Sequence, residues 1–232
     1  MPTAVLGKPG LTGNQLKLLA MIAMTCDHVG LQLLPHLEIL RIIGRLALPI
    51  YAYLIAEGCR HTRSRRNYLL RLAGLGLLCQ VVYFIAMGSL YQCILITFSL
   101  SVCLIWALDT AAEKGDWGSR WGAGAVLAVV FFVSVILPEL LPRTDFAIDY
   151  GLVGILLPVM IYYGKPKWAY LTAGLVLLAL GYGGNQWFAL LAVPLLMLYN
   201  GQRGRGNLGK VFYLYYPLHL AVIYGLSLVL CV

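Results

Sequence analysis

Long apolar runs fill most of the chain, and short stretches containing charged residues, Gly or Pro separate each run from the next. Most runs approach the length of about 20 residues that a helix needs to cross a bilayer, and none shows strand-like alternation. The pattern predicts an all-α, polytopic membrane protein with about nine transmembrane helices. Their predicted positions are 15–34, 39–59, 67–88, 91–110, 121–141, 149–163, 168–184, 186–200 and 208–231. The seventh and eighth helices are short and can also be interpreted as one broken hairpin.

No linker, low-complexity segment or internal repeat interrupts this pattern, so residues 1–232 are predicted to form a single transmembrane domain. Composition agrees, because 61% of the residues are hydrophobic, only 11% are charged and the mean hydropathy is +0.83. These values lie outside the usual range of soluble domains. The six cysteines fall within or at the ends of apolar runs without CxxC spacing, which is typical of small apolar residues and not of a disulfide framework or metal site.

The net charge of +8 raises the question of a nucleic-acid partner. The basic residues lie in short loops between apolar runs, where they orient a membrane protein, so membrane lipids are the expected partner and nucleic acid is not. If the N-terminus is cytoplasmic, all seventeen Lys and Arg except Arg41, Arg45 and Arg143 fall on the cytoplasmic side. This bias predicts a cytoplasmic N-terminus and, with nine crossings, an external C-terminus.

Four ionisable residues are predicted to share one depth in the membrane. With a rise of about 1.5 Å per residue from the cytoplasmic ends of their helices, Asp27 and His28 lie about 15 to 17 Å deep. The same arithmetic puts Arg45 at about 20 Å and His219 at about 15 Å, and Gln80 reaches a similar level. Ionisable groups at this depth usually serve a function, so this layer is the candidate catalytic site.

Asp27 and His28 are consecutive, so about 100° of helix rotation separates their side chains. Arg45 is therefore the better partner for Asp27, because two opposite charges at one depth neutralise each other. This pairing leaves His28 available as a general base, which a neutral imidazole in a dry site can be. The structural alternative is that Asp27 and Arg45 only lock two helices together and that His28 bonds to a backbone carbonyl.

His219 has two interpretations of equal weight. It follows Tyr216 and Pro217, and a proline within a helix frees the carbonyl four residues before it, here that of Tyr213. His219 can therefore either satisfy a freed carbonyl or, with Tyr216, stabilise an oxyanion during catalysis.

Two basic edges are predicted on the cytoplasmic side. The first, RHTRSRRNYLLR at 60–71, contains five arginines, and its composition is explained by topology and by contact with anionic lipid. The alternative is an anionic ligand such as a phosphate-bearing cofactor, which the planar fork of Arg binds well. The second edge is YNGQRG at 199–204 followed by Lys210, whose glycines permit close backbone approach to a phosphate. The candidate cofactor-binding residues at the two edges are Arg60, His61, Arg63, Arg71, Arg203 and Lys210.

A series of motifs, in order along nearly the whole chain, resembles the TraX family. The motifs are Leu16-Lys17, Asp27-His28-Val29-Gly30, Gly44-Arg45 with Pro49, Glu57-Gly58, His61-Thr62, Tyr68 with Arg71-Leu72, Asp149-Tyr150-Gly151, Tyr199-Asn200-Gly201 with Arg203-Gly204, Lys210 with Tyr213, and Tyr216-Pro217-Leu218-His219. The resemblance implies a membrane-embedded acetyltransferase, since TraX proteins are associated with N-terminal acetylation of conjugative pilin and use acetyl-CoA as donor. It does not imply that this chain shares the pilin substrate.

Together, the residues and the resemblance predict a multi-pass protein of the bacterial cytoplasmic (inner) membrane that transfers an acyl group. The donor is acetyl-CoA or another cytoplasmic acyl-CoA, no metal is expected, and the acceptor is an amine or hydroxyl of a peptide N-terminus, a sugar or a lipid-linked molecule. The predicted catalytic residues are His28, Asp27, Arg45, His219 and Tyr216. The alternatives are a proton-coupled transporter or flippase of a small solute or lipid-linked substrate, which also uses buried charges, and a structural partner in an assembly.

Overall fold

The computed structural model describes residues 9–204 and 209–230, without the side chains at 209, 210, 212 and 213, and most of these residues are helical. The α-helices are α1 Gly13–Gln32, α2 Glu38–Gly44, α3 Ala47–His61, α4 Arg65–Met87, α5 Ile94–Lys114, α6 Trp117–Phe131, α7 Leu137–Leu140, α8 Gly151–Tyr163, α9 Lys167–Tyr182, α10 Ala192–Met197 and α11 Gly209–Leu230. A π-helical turn, Phe132–Ile136, joins α6 to α7, and a 3-10 helix, Gly184–Leu191, leads into α10.

When consecutive pieces are joined, these described residues contain nine helical segments, one for each predicted helix. The all-α class and the positions of the helices are therefore confirmed. By their internal contacts, the residues group into two compact units. The first unit comprises the chain up to Leu54 and from Gly184 onward, and the second comprises Ile55–Gly183. That the whole chain is a single domain stays a prediction.

In the first unit, the start of α1 is held by its own cap and by a later segment of the chain. Thr12 is the N-cap and forms a capping box with Gln15, which satisfies the first turn of the helix. The backbone N–H groups of Gly13 and Asn14 donate to the carbonyls of Gln202 and Arg203 at 2.8 and 2.9 Å. The free donors at this helix start are thus bonded to protein atoms, with the segment 198–204 as a second cap.

The second predicted helix, 39–59, is not one continuous rod, because α2 ends at Gly44 and α3 begins at Ala47. Pro49 has no N–H to donate to the carbonyl of Arg45 four residues before it, so the hydrogen-bond ladder cannot run straight through this point. The break places Arg45 between α2, which packs against α1, and α3.

In the second unit, small polar side chains bond α5 to its neighbours. Ser101 donates to the carbonyl of Ile155 in α8 at 2.7 Å, and Thr97 donates to the carbonyl of Asp149 at 2.9 Å. Small hydroxyl residues at helix contacts let backbones approach closely in a membrane protein. Tyr150, between Asp149 and α8, has a positive φ of 57°, which turns the chain into that helix.

Four helical segments are long and apolar enough to cross a membrane. They are Glu38–His61, Arg65–Met87, Ile94–Lys114 and Trp117–Leu140. On α4, the side chains of Leu77, Val81 and Ile85 lie on one face and are all exposed, as expected of a surface that contacts lipid. The chain is thus a membrane protein. The count of nine crossings and the cytoplasmic N-terminus stay predictions, because the remaining apolar segments are shorter.

Candidate functional site

The four residues of the polar layer predicted from depth all lie in the first unit, where they form two contacting pairs, Asp27 with Arg45 and His28 with His219. Asp27 forms an ion pair with Arg45, as predicted, through Oδ1 and Nη2. A second arginine also reaches this carboxylate, since Nη1 of Arg41 lies 3.0 Å from Oδ2 of Asp27 and donates to its backbone carbonyl at 3.2 Å. The two guanidinium groups lie one turn apart on the same helical stretch, and Nε of Arg45 donates to the carbonyl of Arg41 at 3.3 Å.

Two glycines let α2 approach α1 closely enough for these pairs to form. A Cβ added at Gly44 would collide with the side chain of Asp27, whose Cγ would be only 2.7 Å away. A Cβ at Gly30 would lie 2.9 Å from Cβ of Leu40 and 3.3 Å from Cδ of Arg41. The glycines beside Asp27 and Arg45 in the sequence motifs therefore have a physical reason, which is to admit a carboxylate and a neighbouring helix.

Gln186, which the sequence did not suggest, completes this group. It lies in the 3-10 helix, its side chain is buried, and its Oε1 accepts a hydrogen bond from Nη1 of Arg45 at 3.2 Å. Arg45 therefore binds Asp27 with one terminal nitrogen and Gln186 with the other. Gln80, the amide predicted to join this layer, belongs to the second unit, where its Oε1 accepts from the backbone N–H of Cys93 at 3.2 Å.

His28 and His219 meet edge to face, with their ring centroids 5.0 Å apart. Nδ1 of His28 lies 2.8 Å from the carbonyl of Met24, and Nδ1 of His219 lies 3.0 Å from the carbonyl of Tyr215. A carbonyl only accepts hydrogen bonds, so both rings carry a proton on Nδ1, and a neutral ring then has its lone pair on Nε2. Nε2 of His219 lies 3.5 Å from Nδ1 of His28 and thus accepts weakly from the same N–H.

This geometry shows which backbone carbonyls the two histidines contact. His28 does bond to a backbone carbonyl, but only through Nδ1, and Nε2 keeps the lone pair that a base requires. Nδ1 of His219 bonds to the carbonyl of Tyr215, so this ring satisfies a backbone carbonyl of its own helix. Helices α1 and α11 therefore each contribute one imidazole to the contact between His28 and His219.

Tyrosines of α11 support the second imidazole. The ring of Tyr215 stacks on that of His219 at 5.1 Å with an interplanar angle of 3°, and its hydroxyl bonds to that of Thr25 on α1. Tyr216 packs against His219 edge to face at 5.6 Å. Tyr215, Tyr216 and Met24 also belong to one apolar cluster, which limits the motion of both imidazoles.

In the second unit, the first basic edge separates into bonded and exposed residues. Arg60 donates to the carboxylate of Glu57 at 2.6 Å and to the carbonyls of Ile161 and Tyr162 at 2.9 and 2.6 Å. His61 is largely exposed and lies 3.5 Å from the same carboxylate. Arg60 is therefore held by protein groups at the end of α8. The side chains of Arg63 and Arg71 are exposed to the surroundings.

The second basic edge has a structural role that the sequence did not reveal. The segment 199–204, whose glycines suggested a phosphate loop, uses its carbonyls to cap α1. Gly201 and Gly204 have φ values of +77° and +88°, which favour glycine in the turn itself. Arg203 is exposed and interacts electrostatically with Lys17. The side chain of Lys210, the remaining predicted residue of this edge, lies outside the described residues.

The described part of the chain also contains no three His, Cys, Asp or Glu side chains close enough together to hold a metal ion. In the same part of the chain, the cysteines at 26, 59, 79, 93 and 103 form no disulfide.

Comparison with known proteins adds a family to this geometry. Residues 12–227 match the family described as TraX protein. The chain is also similar to a probable fimbrial assembly protein FimC, serogroup H1, of Dichelobacter nodosus, with 28% identity over 243 residues that cover 90% of this chain and 93% of that protein. An uncharacterized protein of Rickettsia prowazekii (strain Madrid E) is 60% identical over 38 residues, which are 16% of this chain and 15% of that protein. No solved structure matches the chain.

Proposed function

This chain belongs to the TraX family, and on that premise we propose that it is an acyltransferase of the bacterial cytoplasmic membrane. It transfers an acyl group from a cytoplasmic acyl-CoA, such as acetyl-CoA, to an amine or hydroxyl. The observation that supports this proposal best is the imidazole of His28, whose Nδ1 is bonded to a carbonyl and whose Nε2 therefore carries a lone pair within a polar group of side chains.

The reaction needs one proton acceptor and one proton donor, and His28 serves as both. Nε2 of His28 takes the proton of the acceptor amine or hydroxyl as it attacks the thioester carbonyl. The new C–N or C–O bond forms, the C–S bond breaks, and the proton held by His28 passes to the departing thiolate to give free CoA. Because the proton returns to the leaving group, His28 ends the cycle neutral, as it began.

His219 positions this base. When His28 becomes an imidazolium, its Nδ1–H is polarised more strongly toward its two acceptors, the carbonyl of Met24 and Nε2 of His219. The stacking of Tyr215 fixes the plane of His219. Since the only N–H of His219 already donates to a carbonyl, we assign His219 to holding His28 and not to the oxyanion role that the sequence suggested.

Asp27, Arg41 and Arg45 hold α1 and α2 together at the level of His28 and keep positive charge beside it. The carboxylate lowers the cost of burying two guanidinium groups, and the guanidinium groups in turn fix the carboxylate. These residues thus set the electrostatic environment of the reaction instead of exchanging protons themselves.

For the donor, the side chains suited to its phosphates are the exposed cations of the two basic edges. The candidates for that binding are Arg63 and Arg71, which are exposed in the second unit, and Arg203, which is exposed in the first. Arg60 keeps a supporting role, because its guanidinium already bonds to three protein groups. Acyl-CoA supplies the activated thioester when bound.

The name of the relative from Dichelobacter nodosus favours one acceptor class among those considered. That protein is named as a fimbrial assembly protein, and fimbriae are built from protein subunits. A free N-terminal amine of a membrane-inserted subunit is therefore the acceptor that we place first, ahead of a sugar or lipid-linked hydroxyl.

The test is transfer of label from radiolabelled acetyl-CoA into protein or lipid fractions of membranes that contain this chain. Wild-type membranes should incorporate label, and His28→Ala should lower the rate by a factor of about 10² to 10⁴, the usual contribution of a general base. His36→Ala is the matched control, because His36 is exposed in the loop between α1 and α2. Retention of all label in CoA, together with solute flux in proteoliposomes, would instead support the transporter.

A further inference from the structure

Gln186 carries a buried amide nitrogen that its surroundings leave unsatisfied. The side chain is only 3% exposed, and its Nε2 has no hydrogen-bond partner among the residues that the structure describes. A buried N–H without a partner lowers the stability of the fold, so such groups are uncommon unless something else uses them.

The orientation of this amide follows from its neighbour. Arg45 donates to Oε1 of Gln186 at 3.2 Å, and a guanidinium can only donate. Rotating the amide by 180° would turn its NH₂ group toward the guanidinium, where two donors would face each other. The carbonyl end therefore belongs to Arg45, and the unpartnered end is the donor.

The charges around this amide do not cancel. Arg41 and Arg45 share the single carboxylate of Asp27, so these three side chains carry a net charge of +1. All three interact electrostatically with His28. A partly buried excess of one positive charge next to an N–H without a described partner suits a group that acquires one negative charge.

We propose that the amide N–H of Gln186, together with the excess positive charge of Arg41 and Arg45, stabilises the oxyanion formed from the acyl carbonyl. This inference rests on the proposed function. The thioester carbonyl is neutral before attack, and its oxygen becomes O⁻ when the acceptor adds and His28 removes the proton. The site is thus complementary to the tetrahedral intermediate more than to the bound thioester, which is how a fixed donor lowers a barrier.

Gln80 is the natural comparison, because its Nε2 is also buried without a described partner. Its oxygen, however, accepts from the backbone of Cys93 and not from a charged side chain. Gln186 differs in that its amide is bonded to an arginine that is itself paired with the acid beside His28.

The experiment measures label transfer in membranes at increasing concentrations of radiolabelled acetyl-CoA. Gln186→Glu keeps an oxygen for Arg45 but removes the amide donor and cancels the excess charge, so it separates support of Arg45 from oxyanion binding. We expect kcat to fall by about 10² to 10³, as for the loss of one oxyanion donor, with KM for acetyl-CoA changed by less than about threefold. Gln186→Met should also lose kcat, whereas Gln80→Met should keep it.

The possible outcomes separate this inference from the proposed function. If the wild type transfers label and Gln186→Glu has a normal kcat, the oxyanion assignment is overturned but the proposed function stands. A raised KM with an unchanged kcat in Gln186→Glu would have the same consequence. Absence of transfer by the wild type would overturn the proposed function and this inference with it. Thermal unfolding of each variant in detergent shows whether a lost kcat reflects a lost fold, and Gln186→Glu must unfold near the wild-type temperature for its kcat to count in favour.

Discussion

Gly44→Ala adds a single methyl group at the point where α2 meets the carboxylate of Asp27. The new Cβ would lie 2.7 Å from Cγ of Asp27, and other atoms of that side chain would be closer still, which real Cβ contacts essentially never show. The carboxylate belongs to a partly buried side chain held by two arginines, so it cannot swing away without giving up those pairs. We therefore expect the substitution to open the contact between α1 and α2.

The size of this effect follows from two contributions. Overpacking a filled contact by one methyl group costs about 1 to 3 kcal/mol. Removing one partner of a buried ion pair costs about 3 to 5 kcal/mol. Only part of this cost applies here, because the Asp27 side chain is 19% exposed and the substitution strains its ion pairs without removing a partner. A total of about 3 kcal/mol lowers the unfolding temperature of a chain of this size by about 6 to 12 °C.

Thermal unfolding in detergent, followed by the loss of the monodisperse chromatographic peak, measures this shift. Gly225→Ala is the matched control, since Gly225 lies within α11 and a Cβ there meets nothing within 4 Å. There the same substitution should leave stability unchanged or raise it by about 0.5 to 1 kcal/mol, as alanine usually does in a helix. Equal shifts for the two variants would refute the close packing of Gly44 against Asp27.

Two further predictions concern the support of His28 and the exposed loop that contains Asp145. His219→Phe keeps a ring against Tyr215 but removes the Nε2 atom that accepts from His28. Loss of this hydrogen bond, worth about 1 kcal/mol, should lower kcat roughly tenfold and shift the acid limb of the pH–rate profile. A purely structural role of His219 would leave that limb in place. Between α7 and α8, hydrogen bonds from the Ser89 hydroxyl and the Leu90 N–H hold the pKa of Asp145 below its usual value. The ionised carboxylate thus stabilises the fold above the pKa of the unfolded chain, and this contribution disappears as the pH falls through the folded pKa. Asp145→Asn should therefore unfold with a weaker dependence on acid pH than the wild type, and an unchanged dependence would contradict this role.

Depth along regular helices pointed to the residues of two observed contacts, Asp27 with Arg45 and His28 with His219. A helix rises by a fixed amount per residue, so residues at equal distances from one membrane face come to one level whatever their neighbours are. Arg41 was missed because its charge was interpreted as a marker of orientation. It lies one turn before Arg45, and residues four apart share a helix face, so the spacing alone could have predicted that Arg41 also reaches Asp27.

Other features of the site were not accessible from spacing. Gln186 lies in a 3-10 helix, where the period of an α-helix does not apply, and its bond to Arg45 joins residues far apart in sequence. The glycines of 199–204 suggested a phosphate loop because a Gly-rich turn looks alike whether its backbone meets a ligand or a helix start. Only the partners of Gly13 and Asn14 distinguish the two.

The paired imidazoles have a consequence for the direction in which a proton can travel. A proton taken up at Nε2 of His28 can be shared onward with Nε2 of His219, but the far side of that second ring ends at the backbone oxygen of Tyr215. An amide oxygen is not protonated at ordinary pH, so the proton path ends at this oxygen. Such a pair stores charge briefly and returns it to the side from which it came, which suits a chemical cycle and does not, by itself, conduct protons from one face of the membrane to the other.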